Sequence, residues 1–108
     1  MNLYEGTFII KASLSDDARN KALERVQQEL TRRGAEVLKV LQMGLRRLAY
    51  SIDGHKEGVY VLMYFNFSGS LMGEFWRECH LNEDLLRFIT LRTDRVLEQL
   101  EFTPVTLA

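Results

Sequence analysis

Residues 36–52 of the chain read EVLKVLQMGLRRLAYSI, and this stretch decides the fold. It is too apolar for a loop, and its β-branched and aromatic residues favour a long β-strand over a helix. A glycine inside a strand tends to mark a bulge, so Gly44 predicts the place where this strand bends. Because successive strand side chains point to opposite faces, Arg46 and Arg47 lie on opposite faces unless a bulge separates them.

The pair Arg46 and Arg47 fits two functions on residue chemistry alone. Edge strands often carry charge, which prevents pairing with a second molecule. Guanidinium groups also match phosphate oxygens and stay charged at any working pH, which favours a phosphate contact. Two arginines do not decide between these functions, so both stay open at this point.

A strand and a helix precede this stretch. Leu3–Lys11 is largely apolar on both faces, which is typical of a central strand. Ser15–Arg33 starts with capping and acidic residues and ends in two arginines before Gly34, as helices commonly begin and end. Apolar residues at helical spacing predict its buried stripe, which consists of Ala22, Leu23, Val26 and Leu30.

Two strands and a second helix follow. Turn chemistry over Asp53–Gly58 leads into a third strand, Val59–Phe67, whose alternate residues from Val59 onward are predicted to face the core. Ser68–Ser70 breaks this strand and offers a helix cap, and Leu85–Arg92 is predicted as the fourth strand. The apolar stripe of the second helix is predicted to contain Leu71, Met72, Phe75, Trp76 and Cys79.

The element order strand, helix, strand, strand, helix, strand predicts a ferredoxin-like split crossover of the α+β class. In this fold a four-stranded antiparallel sheet carries two helices on one face, with the first and third strands central and the others at the edges. Arg46 and Arg47 therefore fall on an edge strand. The other sheet face is predicted to be open, with Tyr60, Leu62 and Tyr64 on it.

The chain length and the hydrophobic content predict one compact domain with a short tail. With 108 residues, 46% of them hydrophobic, the chain is long enough for a single two-layer core. We expect residues 1–93 to form the ferredoxin-like domain and residues 94–108 to form a tail that orders only on assembly. A short helical turn is predicted in the tail around Val96, Leu97 and Leu100.

Charge and cysteine content limit which partners the chain can bind and which cellular compartment it fits. The net charge is −1, so binding to nucleic acid must depend on a local basic patch or on a basic partner. Five cations against one acid between Arg32 and Arg47 make such a patch plausible. The lone Cys79 excludes an intramolecular disulfide and is predicted to be a small buried hydrophobe. Without a signal peptide or an apolar run of membrane-spanning length, the chain is predicted to be cytoplasmic.

The sequence offers little that resembles an active site. His55 and His80 lack the spacing of a metal pair, and no third group is placed to orient Cys79. An acylphosphatase-like enzyme would need an arginine and an asparagine around a bound phosphate, and the loop Lys11–Leu14 supplies neither. We therefore predict no enzyme, no catalytic or metal-binding residues, no cofactor and no small-molecule substrate.

Two binding functions remain as alternatives. A stand-alone RNA-recognition module would stack bases on aromatic residues of its open sheet face, where Tyr60 and Tyr64 are predicted to lie. The third strand lacks the glycine and basic residue of that module's signature. A protein-interaction adaptor would instead cover the same two tyrosines with a partner.

The chain resembles one known family. Tyr4–Glu5, Gly34–Val37 and above all Gly44–Tyr50 look like the bacterial small-subunit ribosomal protein six family, and the similarity spans about residues 2–92. The resemblance implies a structural, non-enzymatic protein of the cytoplasmic ribosome. It would bind the central domain of small-subunit (16S) ribosomal RNA, in the platform, together with small-subunit ribosomal protein eighteen.

The resemblance also implies roles for individual residues. Tyr4, Arg46 and Arg47 match motif positions and are expected to contact RNA, Tyr4 more weakly than the two arginines. Charge and placement near strand ends suggest Asn2 and Arg92 as weaker RNA contacts. The protein partner is expected along the exposed sheet surface, on Tyr60, Leu62 and Tyr64.

Overall fold

The computed structural model describes residues 1–52 and 54–94. A four-stranded sheet has the order β2-β3-β1-β4, and all neighbouring strands are antiparallel. This arrangement confirms the predicted ferredoxin-like split crossover, with β1 and β3 central and β2 and β4 at the edges. The elements are β1 (Asn2–Lys11), α1 (Asp16–Arg32), β2 (Glu36–Ile52), β3 (His55–Phe67), α2 (Met72–Leu81) and β4 (Leu85–Arg92), with a 3₁₀ turn (Gly69–Leu71) before α2.

Helix α1 is stabilised by the residues at its start and by its buried apolar stripe. Ser15 Oγ accepts a hydrogen bond from the backbone N–H of Ala18 at 3.1 Å, which satisfies one of the free donors of the first turn. Asp16 and Asp17 lie at the positive end of the helix dipole. The predicted stripe is confirmed, because the buried residues of α1 are Ala22, Leu23, Val26 and Leu30.

The main core lies between the helices and one sheet face. Alternate residues of β3 from Val59 to Phe67 are all buried there, as predicted. From α2, Phe75 and Cys79 enter this core, and the ring of Phe75 meets the rings of Phe8, Phe65 and Phe67 edge-on. Trp76 was predicted to share the stripe but is 41% exposed, because it lies over Phe88 of the edge strand and donates to Thr90 Oγ1 at 3.0 Å.

The hairpin between β2 and β3 is longer than predicted. Strand β3 begins at His55, so the expected turn over Asp53–Gly58 is wrong for most of its length. The reason is that the two strands continue to pair past the rest of the sheet, as far as Ile52 opposite His55. Asp53 lies outside the described residues.

The second sheet face is not open at the end that carries this hairpin. Leu48 of β2 packs against Ile9 and Tyr60 in a small second core. Met43, Ile52 and Leu86 are partly buried against this cluster. The prediction of an open face is therefore wrong here, because the overhanging part of β2 folds across the sheet.

Predictions about residues 95–108, including the helical turn around Val96, Leu97 and Leu100, lie outside the described residues. Within the described part of the chain, neither helix has the length and apolar content of a transmembrane span.

Candidate nucleic-acid interface

Arg46 and Arg47 are positioned by a bulge in β2. The pairing of β2 with β3 shifts between Gln42 and Gly44, and Gly44 has a φ of +82°, which L-residues rarely adopt. Beyond it Arg46 lies opposite Gly58 and Arg47 opposite Glu57, with no shift between the two pairs. The two arginines therefore point to opposite faces, as the sequence predicts in the absence of a bulge between them.

The two arginines differ in their surroundings. Arg46 shares its sheet face with Tyr60, because directly opposed residues and every second residue of a strand share a face. Its side chain is half-buried, and its Nε–H is buried without a hydrogen-bond acceptor among the described residues. Such a donor is costly to leave unpaired, so an incoming acceptor would stabilise it. Arg47 is exposed on the opposite face.

The other three predicted RNA contacts lie at the far end of the sheet. Tyr4 is opposite Arg92 on β4 and opposite Phe65 on β3, and Asn2 lies two residues earlier on β1. Arg46 is level with Lys11, since both face Gly58 in the register. From Tyr4 to Lys11 the strand rises about 23 Å at about 3.3 Å per residue. The structure therefore brings Asn2, Tyr4 and Arg92 together, separately from Arg46 and Arg47.

The arginines of the strands lie outside the ion pairs seen in the described residues. Asp16, Asp17, Glu29 and Glu74 pair with basic residues of α1 or with Arg33, the residue that ends it. The Glu29 carboxylate holds the Arg33 guanidinium and raises the pKa of Arg33. By contrast, no described acid lies within ion-pair distance of the strand arginines, which are Arg46, Arg47, Arg87 and Arg92. These four arginines therefore keep charge available to an external anion, as do the exposed Arg25 and Arg77 of the helices.

The predicted partner-binding residues are buried. Tyr60, Leu62 and Tyr64 are 2%, 4% and 0% exposed. The Tyr64 hydroxyl donates a hydrogen bond to Glu5 Oε2 at 3.0 Å, and burial raises the pKa of Tyr60, against the opposing effect of the Arg87 guanidinium. Rings covered in this way are not available to stack bases, which disfavours the RNA-recognition alternative.

Sequence reasoning missed the exposed apolar residues of the same face. Ile89 and Leu91 on β4 are 45% and 59% exposed, and their register opposite Thr7 and Glu5 puts them on the face of Tyr64. The sequence shows that both residues are apolar, and strand alternation puts them on one face. It does not reveal that β4 is left uncovered, which depends on the packing of the whole sheet.

No catalytic or metal centre is visible in the described residues. No group of three or more His, Cys, Asp or Glu side chains there could hold a metal ion. Cys79 is buried in the main core, and burial raises the pKa of its thiol to about 12. The reactive form of cysteine is the thiolate, so this residue is poorly suited to nucleophilic chemistry.

Cys79 is expected to resist alkylation while the chain is folded. With iodoacetamide at pH 8, native protein should remain unmodified while glutathione in the same tube reacts, and urea-unfolded protein should be fully modified. Mass spectrometry measures the modified fraction. Modification of the native protein at the glutathione rate would contradict the burial of this side chain.

These features define the chain as a ferredoxin-like α+β protein whose sheet carries, at both ends, arginines that form no ion pair with a described residue. The family model described as Ribosomal protein S6 matches residues 3–92, so the chain belongs to the ribosomal protein S6 family. It is a ribosomal protein of the small-subunit S6 type and not an enzyme.

Known relatives are similar to this chain over most of its length. Small ribosomal subunit protein bS6 of Protochlamydia amoebophila is 58% identical over 101 residues, covering 94% of this chain and 89% of that protein. The corresponding protein of Chlamydia abortus is 51% identical over 100 residues, with 93% and 89% covered. The crystal structure of 30S ribosomal protein S6 from Thermotoga maritima superposes with a TM-score of 0.81 at 30% identity, covering 85% of this chain and 87% of that one.

Proposed function

We propose that this chain binds the central domain of small-subunit ribosomal RNA, in the platform, as one half of a heterodimer with small-subunit ribosomal protein eighteen. The observation that carries the RNA contact is the Arg46 side chain, whose buried Nε–H lacks an acceptor in the described residues. A phosphate oxygen would supply that acceptor together with a compensating charge.

The charge balance supports a two-protein complex. With a net charge of −1, the chain alone provides little general attraction to RNA. A basic partner would supply most of the phosphate neutralisation, while the few unpaired arginines of this chain would fix its register on the RNA. The complex would work in the cytoplasm, on the ribosome.

The proposed contacts form two groups. Arg46 and Arg47 would contact the RNA backbone at one end of the sheet. Asn2, Tyr4 and Arg92 form the weaker group, about 23 Å away at the other end. An RNA that contacts both groups must run along the sheet instead of meeting it at one point.

The partner is proposed to lie over the second sheet face, along Tyr60, Leu62 and Tyr64. Because these side chains are buried, the partner would meet their surroundings first, including the exposed Ile89 and Leu91. Residues 1–93 are proposed as the domain that makes these contacts. The tail of residues 94–108 is proposed to order on assembly.

A three-way titration tests the proposal. A central-domain RNA fragment is titrated in a gel-shift assay with this chain alone, with the partner alone, and with the mixture. We expect the mixture to bind more tightly than either protein does by itself, with a steep dependence on salt. If the chain makes no difference to what the partner does alone, the proposed function is wrong.

A further inference from the structure

Arg87 and Tyr50 come from opposite edges of the sheet and meet on its second face. Arg87 lies on the edge strand β4, and its Nη1 donates a hydrogen bond to the hydroxyl of Tyr50 at the end of β2. The strands β3 and β1 lie between these edges. The contact is possible because the overhanging part of β2 folds across the sheet, where Leu48 packs on Ile9 and Tyr60.

Arg87 occupies the same face and the same end of the sheet as Arg46. Arg87 is opposite Ile9, Ile9 is opposite Tyr60, and Tyr60 shares its face with Arg46. Three strand spacings of about 4.8 Å separate the β2 and β4 backbones, or about 14 Å in all. Both side chains are long enough to extend over the part of the sheet between them.

The Arg87 guanidinium is exposed and has no acidic partner in the described residues. The guanidinium has five N–H donors, and the Tyr50 hydroxyl, a neutral acceptor, occupies one of them. The contact thus limits the freedom of the side chain without neutralising its charge. An oriented donor loses less entropy on binding an anion than a freely rotating one.

We propose that Arg87 is a further phosphate-contacting residue, held in position by the hydroxyl of Tyr50. The RNA backbone then crosses the hairpin end of the second face from Arg46 on β2 toward Arg87 on β4, and the protein partner covers the rest of that face, around Tyr64 and Leu91. This inference rests on the proposed function and extends its site to the opposite edge of the sheet. Tyr50 acts through Arg87 and is a positioning residue.

Substitution of Arg87 tests the proposed phosphate contact. The measurement is the binding of the heterodimer to the central-domain RNA fragment. Arg87→Gln should weaken binding about tenfold, as expected for the loss of a charge-assisted hydrogen bond. It should also reduce the magnitude of the log–log salt slope by about 0.7 to 0.9, because one fewer phosphate is neutralised. Arg77→Gln makes the same charge change at an exposed position on α2 and should leave both quantities at their parental values.

Two further variants separate charge from orientation. Tyr50→Phe keeps every charge but removes the hydrogen bond that orients Arg87, so it should lower affinity about threefold while leaving the salt slope unchanged. Arg87→Lys keeps the charge but loses the fork of donors, so it should also retain the slope with reduced affinity. These two variants provide the test if Arg87→Gln does not fold.

The outcomes distinguish this inference from the proposed function. If the parental mixture does not bind the RNA, the proposed function fails and the inference fails with it. If the parental mixture binds and Arg87→Gln keeps its affinity and salt slope, Arg87 makes no phosphate contact and only the inference is overturned. A Tyr50→Phe variant with parental affinity would overturn the positioning role alone.

Discussion

The Phe75→Ala variant is expected to unfold with a free energy about 3 to 5 kcal/mol lower than that of the parent. The Phe75 side chain is fully buried and makes edge-to-face contacts with Phe8, Phe65 and Phe67. Alanine would leave a cavity bordered by three rings that are themselves held by the sheet and cannot collapse into it. Since small domains are stable by about 5 to 15 kcal/mol, this single change would remove a large part of the total.

Urea unfolding followed by circular dichroism measures this difference. Trp76→Ala is the matched control, because it removes a larger aromatic side chain from the next position of the same helix. Trp76 is 41% exposed, so its loss should cost clearly less than that of Phe75, despite the contact with Phe88 and the hydrogen bond to Thr90. Equal losses for the two variants would mean that α2 is rotated relative to the sheet.

The contrast between Phe75 and Trp76 shows where sequence patterns stop being informative. Adjacent helix positions are separated by about 100° of rotation, so both aromatics fit the edge of one apolar stripe. Which of them enters the core depends on the angle at which α2 meets the sheet. In β3 the period is two, so a side chain belongs to one face or the other, and the inward residues from Val59 to Phe67 were predicted correctly.

The candidate interface was predictable only in its local features. The bend at Gly44 and the opposite directions of Arg46 and Arg47 follow from strand geometry and needed no tertiary information. The contact between Arg87 and Tyr50 joins residues 37 positions apart. It depends on how far the overhanging hairpin folds back over the sheet, and alternation of apolar residues does not encode that path.

The separation of the RNA candidates into two groups illustrates the same limit. Asn2 and Arg92 are predicted from charge and placement near strand ends, and Tyr4 from its motif position. The antiparallel register puts all three at the end of the sheet opposite Arg46. A strand end is a local property that the sequence shows well. Which strand ends lie side by side is a property of the assembled sheet.

The double variant Arg46→Ala/Arg47→Ala is expected to show the largest loss of RNA binding. If each arginine contacts a phosphate, the magnitude of the log–log salt slope of the heterodimer should fall by about 1.4 to 1.8, at 0.7 to 0.9 per contact. The two side chains lie on opposite faces, so the single variants identify the face that the RNA covers. If only the second face is used, Arg46→Ala alone should reproduce the effect of the double variant.

The free energy of unfolding of the same variant should lie within about 1 kcal/mol of that of the parent. Arg47 is exposed without an ion pair in the described part of the chain, and removal of Arg46 eliminates a buried donor that has no acceptor there. The double variant Arg25→Ala/Arg77→Ala changes the net charge equally at exposed helix positions and should keep the parental salt slope. The loss of a phosphate contact changes the number of ions released on binding. If the Arg46→Ala/Arg47→Ala heterodimer also keeps the parental salt slope, these arginines make no phosphate contact. Their role would then be to keep an edge strand from pairing with other chains.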